Sequence, residues 1–262
     1  MQIVVCVKQV VDPEMPHSAF RVDPEQKRVV PPPGTPPVLS PFDQNALEAA
    51  LQIRDRLGAK VIAVSMGSSL ARPVLSRTLA AGADELILLE DPSFRDLDSF
   101  AAAGVLAAAV RKIGEVDMVF TGRQSSDWDS GITGCVLAEE LGFPCITVAS
   151  KVEIADGQVR VERVIADGFE VVEAPLPCVV TIDSALGELR QVTLQALSAA
   201  RKKPLRLWKA ADLDLPPLPP PRCELLDLFV PKRETNCEFM DGDTPGAAAA
   251  RLAERLREEG LL

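Results

Sequence analysis

"SPFDQNALEAALQIRDRLGAKVIAVSMG", residues 40–67, decides how the chain is organised. Its first part spells a helix with both ends marked. Ser40 stands where an N-cap belongs, Pro41 suits the first helical position, and Asp43 supplies the carboxylate of a capping box. Ala46, Ala50, Ile53 and Leu57 recur at helical spacing, and Gly58 ends the run. "AKVIAVSMG" (59–67) follows at once, a continuous apolar run of strand length. Such runs belong to strands buried on both faces.

The alternation continues on either side. "IVVCVKQVV" (3–11) reads as the first strand. Beyond 67 come a helix over 71–81 stopped by Gly82, the strand "DELILLE" (84–90), and a helix over 97–113. Ala103, Leu106, Val110 and Ile113 lie on one face of that helix. "VDMVFTG" (116–122) is the next strand, and the loop "TGRQSSDWDSGITG" (121–134) leads into a helix ending at Leu141 before Gly142 and Pro144. Strands joined by helices predict an α/β fold, a three-layer Rossmann-like arrangement around a mostly parallel sheet. After 145 the pattern turns to period two, with Asp-Gly pairs at 156–157 and 167–168, which predicts hairpins that add antiparallel strands.

Ligands of such sheets bind outside the carboxyl ends of the strands. That edge collects the residues after the first strand, "VSMG" (64–67) and the loop 121–134. The helix start at Ser40 joins them, because its unpaired N–H groups suit an anion. The loop carries neither G-x-G-x-x-G nor G-x-x-x-x-G-K-[ST]. It offers Gly131 and Gly134, with Ser130 and Thr133 at a helix start, while Asp127 and Asp129 would repel a phosphate and suit backbone caps or a ribose hydroxyl. Taken alone, the pattern favours a capped strand–turn–helix connection over a nucleotide loop.

Composition narrows the function. A net charge of −10 argues against a nucleic-acid or anionic-membrane binder. No apolar run is long enough to cross a bilayer, and Lys8 inside the opening run argues against a signal peptide, so a cytoplasmic protein without membrane insertion is expected. The six cysteines form no C-x-x-C pair, which argues against a metal site. The chain has one histidine, His17, in a loop-like segment, and no tyrosine, so acid–base or nucleophilic catalysis is not expected.

Towards the C-terminus, 186–205 reads as a loop and a short helix whose basic end, Arg201 to Lys203, compensates the helix dipole. The α/β domain is expected to span 1–203. From 204 the composition shifts: "DLDLPPLPPPR" (212–222) reads as an extended linker, and Thr244 and Pro245 open a final helix. This 204–262 arm either folds back on its own domain or docks on another chain, and its length favours a partner.

Several collinear segments together resemble the beta subunit of the electron-transfer flavoproteins. They are "VVCVKQVVD" (4–12), "SPFDQNALEAAL" (40–51), "VIAVSMG" (61–67), "RTLAAGADELILLE" (77–90), the loop 121–134, "FPCITVASKVEI" (143–154), "VERVIADGFEVVEAPLPCVVT" (161–181) and "LRQVTLQALSAARKKPL" (189–205). The resemblance implies an electron carrier with no catalytic residue of its own. It would pair with an alpha subunit holding most of a shared FAD, take electrons from flavoprotein dehydrogenases and pass them to a quinone reductase or similar acceptor.

It also implies an AMP held by Cys6, Ser40, Pro41, Phe42, Asp43, Met66, Gly122, Arg123, Gln124, Ser125, Ser126, Asp127, Trp128, Asp129, Ser130, Gly131, Ile132 and Thr133. Phe42 would lie near the flavin, and Leu194 would anchor partner dehydrogenases. The chain departs from the family pattern at Ser40 (asparagine in the family), at Gly131 and Ile132 (two amide side chains), at Pro13 (a tyrosine near the flavin) and at Leu189, Arg190 and Gln191. Three other readings stay open: a flavin-bifurcating member with a second FAD in place of AMP, a stand-alone adenine-nucleotide-binding regulator, and an inactive structural paralogue that assembles with the partner but passes no electrons.

Overall fold

Alternate residues of the first strand enter different cores, which is why it is apolar without a break. In β1 (Gln2–Cys6), Ile3 and Val5 belong to one buried cluster, and Val4 and Cys6 belong to the other. The computed structural model describes residues 1–155, 157–215, 221–231 and 237–262, and the chain divides into two compact units, Met1–Asp227 and Leu228–Leu262.

The first unit runs through β2 (Gln9–Val10), β3 (Arg21–Asp23), β4 (Arg28–Val30), β5 (Val38–Leu39), α1 (Pro41–Leu57), β6 (Lys60–Gly67), α2 (Arg72–Leu75), α3 (Arg77–Ala81), β7 (Glu85–Glu90), α4 (Ser99–Ile113) and β8 (Met118–Gly122). It continues with α5 (Thr133–Leu141), β9 (Cys145–Ala155), β10 (Gln158–Ile165), β11 (Gly168–Pro175), β12 (Cys178–Ile182), α6 (Leu194–Ala200) and β13 (Leu205–Trp208). The second unit carries α7 (Pro245–Glu258), which Thr244 caps by accepting the Ala247 N–H at 3.2 Å.

Among the described residues the main sheet has nine strands in the order β11-β10-β9-β12-β8-β1-β6-β7-β13. β9, β12, β8, β1, β6, β7 and β13 pair in parallel, and β10 pairs antiparallel with both β9 and β11. Leu47, Leu51 and Ile53 of α1 and Leu79 of α3 cover one face with Ile3, Phe120 and Val180. Val105, Ala109 and Leu137 of α4 and α5 cover the other with Val4, Val119 and Val179. Each Leu or Ile buried completely in these layers contributes roughly 1.5–3 kcal/mol. The three-layer α/β architecture with added antiparallel strands is the one the alternation predicts.

Local expectations fare unevenly. Helix α1 begins at Pro41 and closes at Gly58, whose positive φ of 71° lets its N–H reach the Arg54 carbonyl at 2.8 Å. The capping box does not form: the Ser40 hydroxyl has no partner, and the Asp43 carboxylate bonds neighbouring segments instead. The predicted strand 3–11 breaks after Cys6, and its remainder pairs with β5 in a separate ribbon. The helix over 71–81 is two short helices meeting at Ser76. The second hairpin turns at 166–167, with Gly168 already paired to Ile165. In the first hairpin Asp156 lies outside the described residues, as do 216–220 of the proline-rich stretch.

Packing is tight where α5 meets the sheet. A Cβ on Gly134 would lie 2.6 Å from Thr181 Cγ2 and 2.7 Å from Thr121 Oγ1. We therefore expect Gly134→Ala to cost about 1–3 kcal/mol of stability through overpacking, measured by urea unfolding, whereas Gly104→Ala, with open space around it, should not destabilise.

Candidate functional site

The carboxyl ends of β1, β6 and β8 open on a cavity of about 870 Å3. Its walls come from the residues after β1, the end of β6, the start of α4, the loop 121–134 and the first turn of α5. Val64, Met66, Leu70, Phe94, Leu97 and Leu106 make one part apolar. The loop and the N-terminus of α5 make the other part polar, with backbone N–H groups that have no intrahelical partner.

Asp43 sets the geometry of this edge. Its Oδ2 accepts the Lys8 N–H at 2.8 Å and its Oδ1 accepts the Gly122 N–H at 3.2 Å, so one carboxylate joins the end of β1, the start of α1 and the end of β8. Burial pushes its pKa up to about 7, against the lowering effect of the two N–H donors and of Lys8. The Cys6 thiol beside it is pushed up to about 12, by burial first and by the Asp43 charge second, so it stays a neutral thiol. Gly122 has to be glycine here, because a Cβ would fall 2.7 Å from Asp43 Oδ1 and from the Phe42 carbonyl carbon.

The loop is held by its own acidic residues. Asp127 pairs with the Lys8 ammonium at 2.7 Å and accepts the Trp128 N–H at 3.0 Å. Asp129, at a φ of 49°, accepts from Gln124 Nε2 at 2.9 Å. Only the Asp127–Trp128 bond is a backbone cap of the kind the sequence reading expects; the other contacts are an ion pair and a side-chain amide. Ser130 meets Ser99 of α4 at 3.1 Å, and Gly131, at a φ of 65°, turns the chain into α5. Arg123 bonds Asp183 at 2.9 Å and lies 5.2 Å from the centre of the Phe42 ring, while its Nε is buried without a partner.

Of the residues singled out from sequence, Cys6, Asp43, Met66, Gly122, Arg123, Gln124, Ser125, Asp127, Trp128, Ser130, Gly131, Ile132 and Thr133 line this cavity. Ser40, Phe42, Ser126 and Asp129 do not line it, and Pro41 faces a second cavity of about 580 Å3. That smaller cavity is bounded by Asp12, Pro13, Gln44, Arg77 and residues 189–192. The sequence reading missed Gln26 and Lys27, residues 94–100 and residues 223–225, all of which line the larger one. The start of α4 could have been found from Asp98, an N-cap ahead of an apolar helix. Nothing local marks the other two segments.

Leu194 opens α6 with 85% of its surface exposed. The segment leading to it is fastened to α1. Arg190 reaches Glu48 through Nε and a terminal nitrogen at 3.0 and 2.9 Å and Asp55 at 2.6 Å, and its backbone N–H also donates to Glu48. The hydrogen bond to Glu48 is the main reason its guanidinium is held above the usual arginine range. No helix among the described residues is long and apolar enough to cross a membrane.

Residues 34–213 match the electron transfer flavoprotein domain family. Over the full length of both chains the protein is 34% identical to the caffeyl-CoA reductase-Etf complex subunit CarD of Acetobacterium woodii. It is 37% identical to the electron transfer flavoprotein subunit beta of Clostridium acetobutylicum, across 82% of this chain and 81% of that one. Protein FixA of Azotobacter vinelandii shares 33% across 97% and 94%. With the family match covering well over half of its residues, the chain belongs to the electron transfer flavoprotein family, among its beta subunits.

Proposed function

We propose that the chain is the beta subunit of a cytoplasmic, heterodimeric, FAD-containing electron-transfer flavoprotein. It would receive electrons from flavoprotein dehydrogenases and deliver them to a quinone reductase or similar acceptor. The observation that carries this reading is the cavity at the carboxyl edge of the sheet, which combines an apolar wall with a helix N-terminus.

The residues present fit an adenine nucleotide. The apolar side suits a base. The unpaired N–H groups at the start of α5 suit a phosphate, and so does the unpartnered Arg123 Nε. A flavin, when bound, supplies reversible uptake and release of electrons. The beta chain's own part is to bind and orient: the loop 121–134 holds the nucleotide, Pro13, Pro41 and Phe42 give a wall to the shared flavin, and Leu194 offers the anchor for the dehydrogenase. Of residues 204–262, β13 completes the main sheet, and the second unit, Leu228–Leu262, forms the arm that contacts the alpha subunit.

The extent of the cavity favours a second reading, FAD in place of AMP. At about 870 Å3 it lies high in the range of roughly 300–1,000 Å3 usual for small-molecule sites. It reaches past α5 to Lys27 and 223–225. Trp128 is 55% exposed, so its ring leaves much of that space open.

Counting cofactors decides between these readings. The heterodimer purified with its alpha subunit should hold one FAD and one AMP; two FAD and no AMP would select the second reading. A colourless chain that binds AMP and recruits no second subunit would be the stand-alone regulator. Docking is tested at Leu194→Ala, which should slow reduction by the dehydrogenase about tenfold or more with flavin content unchanged. An unaltered rate removes Leu194 from the interface. Arg190→Gln should raise KM in the same assay with little change in kcat, because it loosens the segment that presents Leu194.

Asp43 gives the site a pH dependence. Its raised pKa means that it holds a proton below about 7 and gains a negative charge above it. An anionic ligand is therefore held more weakly at pH 8 than at pH 6. Asp43→Asn should flatten that difference, read as nucleotide retained after gel filtration at the two pH values.

A further inference from the structure

The larger cavity has a wall from far along the chain. Residues 223–225 line it, and they run between two of its other walls, the start of α4 and the turn joining β3 to β4. Each end is fastened. Asp98 caps α4 with Oδ1, which accepts the Ala101 N–H at 2.8 Å, and uses Oδ2 for a different purpose. That second oxygen accepts the Arg222 N–H at 2.6 Å and the Cys223 N–H at 3.4 Å. The Arg222 guanidinium lies over the Phe100 ring, 4.4 Å from its centre. At the far end Lys27 donates from Nζ to the Leu225 carbonyl at 2.7 Å.

Both fastenings involve a charged group, which makes them stronger than neutral hydrogen bonds. They span 124 and 198 positions of sequence, so local chain geometry does not account for them. A helix cap needs one carboxylate oxygen, so α4 alone gives no reason for the second. Lys27 adopts a φ of 48°, unusual for a residue with a side chain, in the turn from which its ammonium reaches Leu225.

We propose that residues 222–225 form a retaining strap over the nucleotide cavity, with Asp98 and Lys27 as its two pins and the Arg222–Phe100 contact as a third hold. The strap holds the adenine nucleotide portion of AMP or of FAD, and the ligand leaves when the strap lifts. Asp98 and Lys27 are positioning residues: they act on the ligand through the backbone of 222–225. This inference rests on the nucleotide assignment made above for the same cavity.

The test uses the heterodimer and follows release of its own ligand. AMP and FAD are quantified by chromatography after acid extraction, at intervals during continuous buffer exchange. Asp98→Asn keeps an N-cap, since asparagine caps as well as aspartate, but leaves a single acceptor oxygen for two tasks. It should speed release by about tenfold, the loss expected when a charge-assisted hydrogen bond is removed. Lys27→Met, in a turn that carries no part of the main sheet, should speed release several-fold with the thermal midpoint unchanged. Release at the wild-type rate in both variants overturns the strap and leaves the nucleotide assignment standing. A wild-type heterodimer that yields no nucleotide attributable to this cavity overturns the assignment, and the strap falls with it.

Discussion

Asp43 accepts the N–H groups of Lys8 and Gly122, and in doing so it fixes three segments that the sequence presents far apart. The constraint is demanding because the carboxylate is buried: an unpaired carboxylate there would be costly, and two backbone donors are what make its position tenable. Its consequences spread outwards. Gly122 must lack a side chain for α1 to approach β8 this closely. Lys8, its N–H committed to Asp43, sends its ammonium to Asp127 and so tethers the loop 121–134. The polar side of the cavity thus takes its shape from one acidic residue in the first turn of a helix.

That first turn is also a partition. Asp43 faces the larger cavity, while Pro41 and Gln44 face the smaller one beside residues 189–192. Phe42 stands between them, under the Arg123 guanidinium. Arg190 ties the far wall of the smaller cavity to Glu48 and Asp55, about one and three turns further along the same helix. A proposed nucleotide site, a proposed flavin wall and the segment leading to Leu194 therefore share one rigid element. Their relative positions depend on α1 staying straight and packed. Leu47, Leu51 and Ile53, all buried against the sheet, keep it so.

What could be read from sequence follows from how far each cause extends along the chain. The parallel strands were legible because burial on both faces forces unbroken apolar runs, as in Val61 to Val64. Helix α1 was legible because Pro41 and Gly58 mark its ends locally. The capping box was misread: Asp43 is in the right position, yet the stronger claim on its oxygens came from Lys8 and Gly122, and spacing says nothing of competing donors. β13 escaped notice because a four-residue edge strand is too short for its apolar residues, Leu205, Leu207 and Trp208, to show a period. The wall at 223–225 was equally silent, since its placement depends on Asp98 and Lys27, more than a hundred residues away.

A net charge of −10 looks unpromising for an anion site, and the resolution lies in the range over which charge acts. At physiological ionic strength exposed charges are screened beyond about 8 Å. The overall balance therefore bears on a long polyanion and says little about one phosphate in a cleft. Three acidic groups at or beside the cleft are already engaged: Asp127 with Lys8, Asp183 with Arg123, and Asp98 with backbone N–H groups from both its flanks. Asp43 keeps its proton up to about neutrality because burial disfavours the charged form. The start of α5, reached through Gly131 and Ile132, presents backbone donors to the same cleft. Backbone N–H groups do not depend on side-chain identity, so the donors proposed to hold a phosphate there are set by the path of the chain into α5 and not by the side chains at 131 and 132.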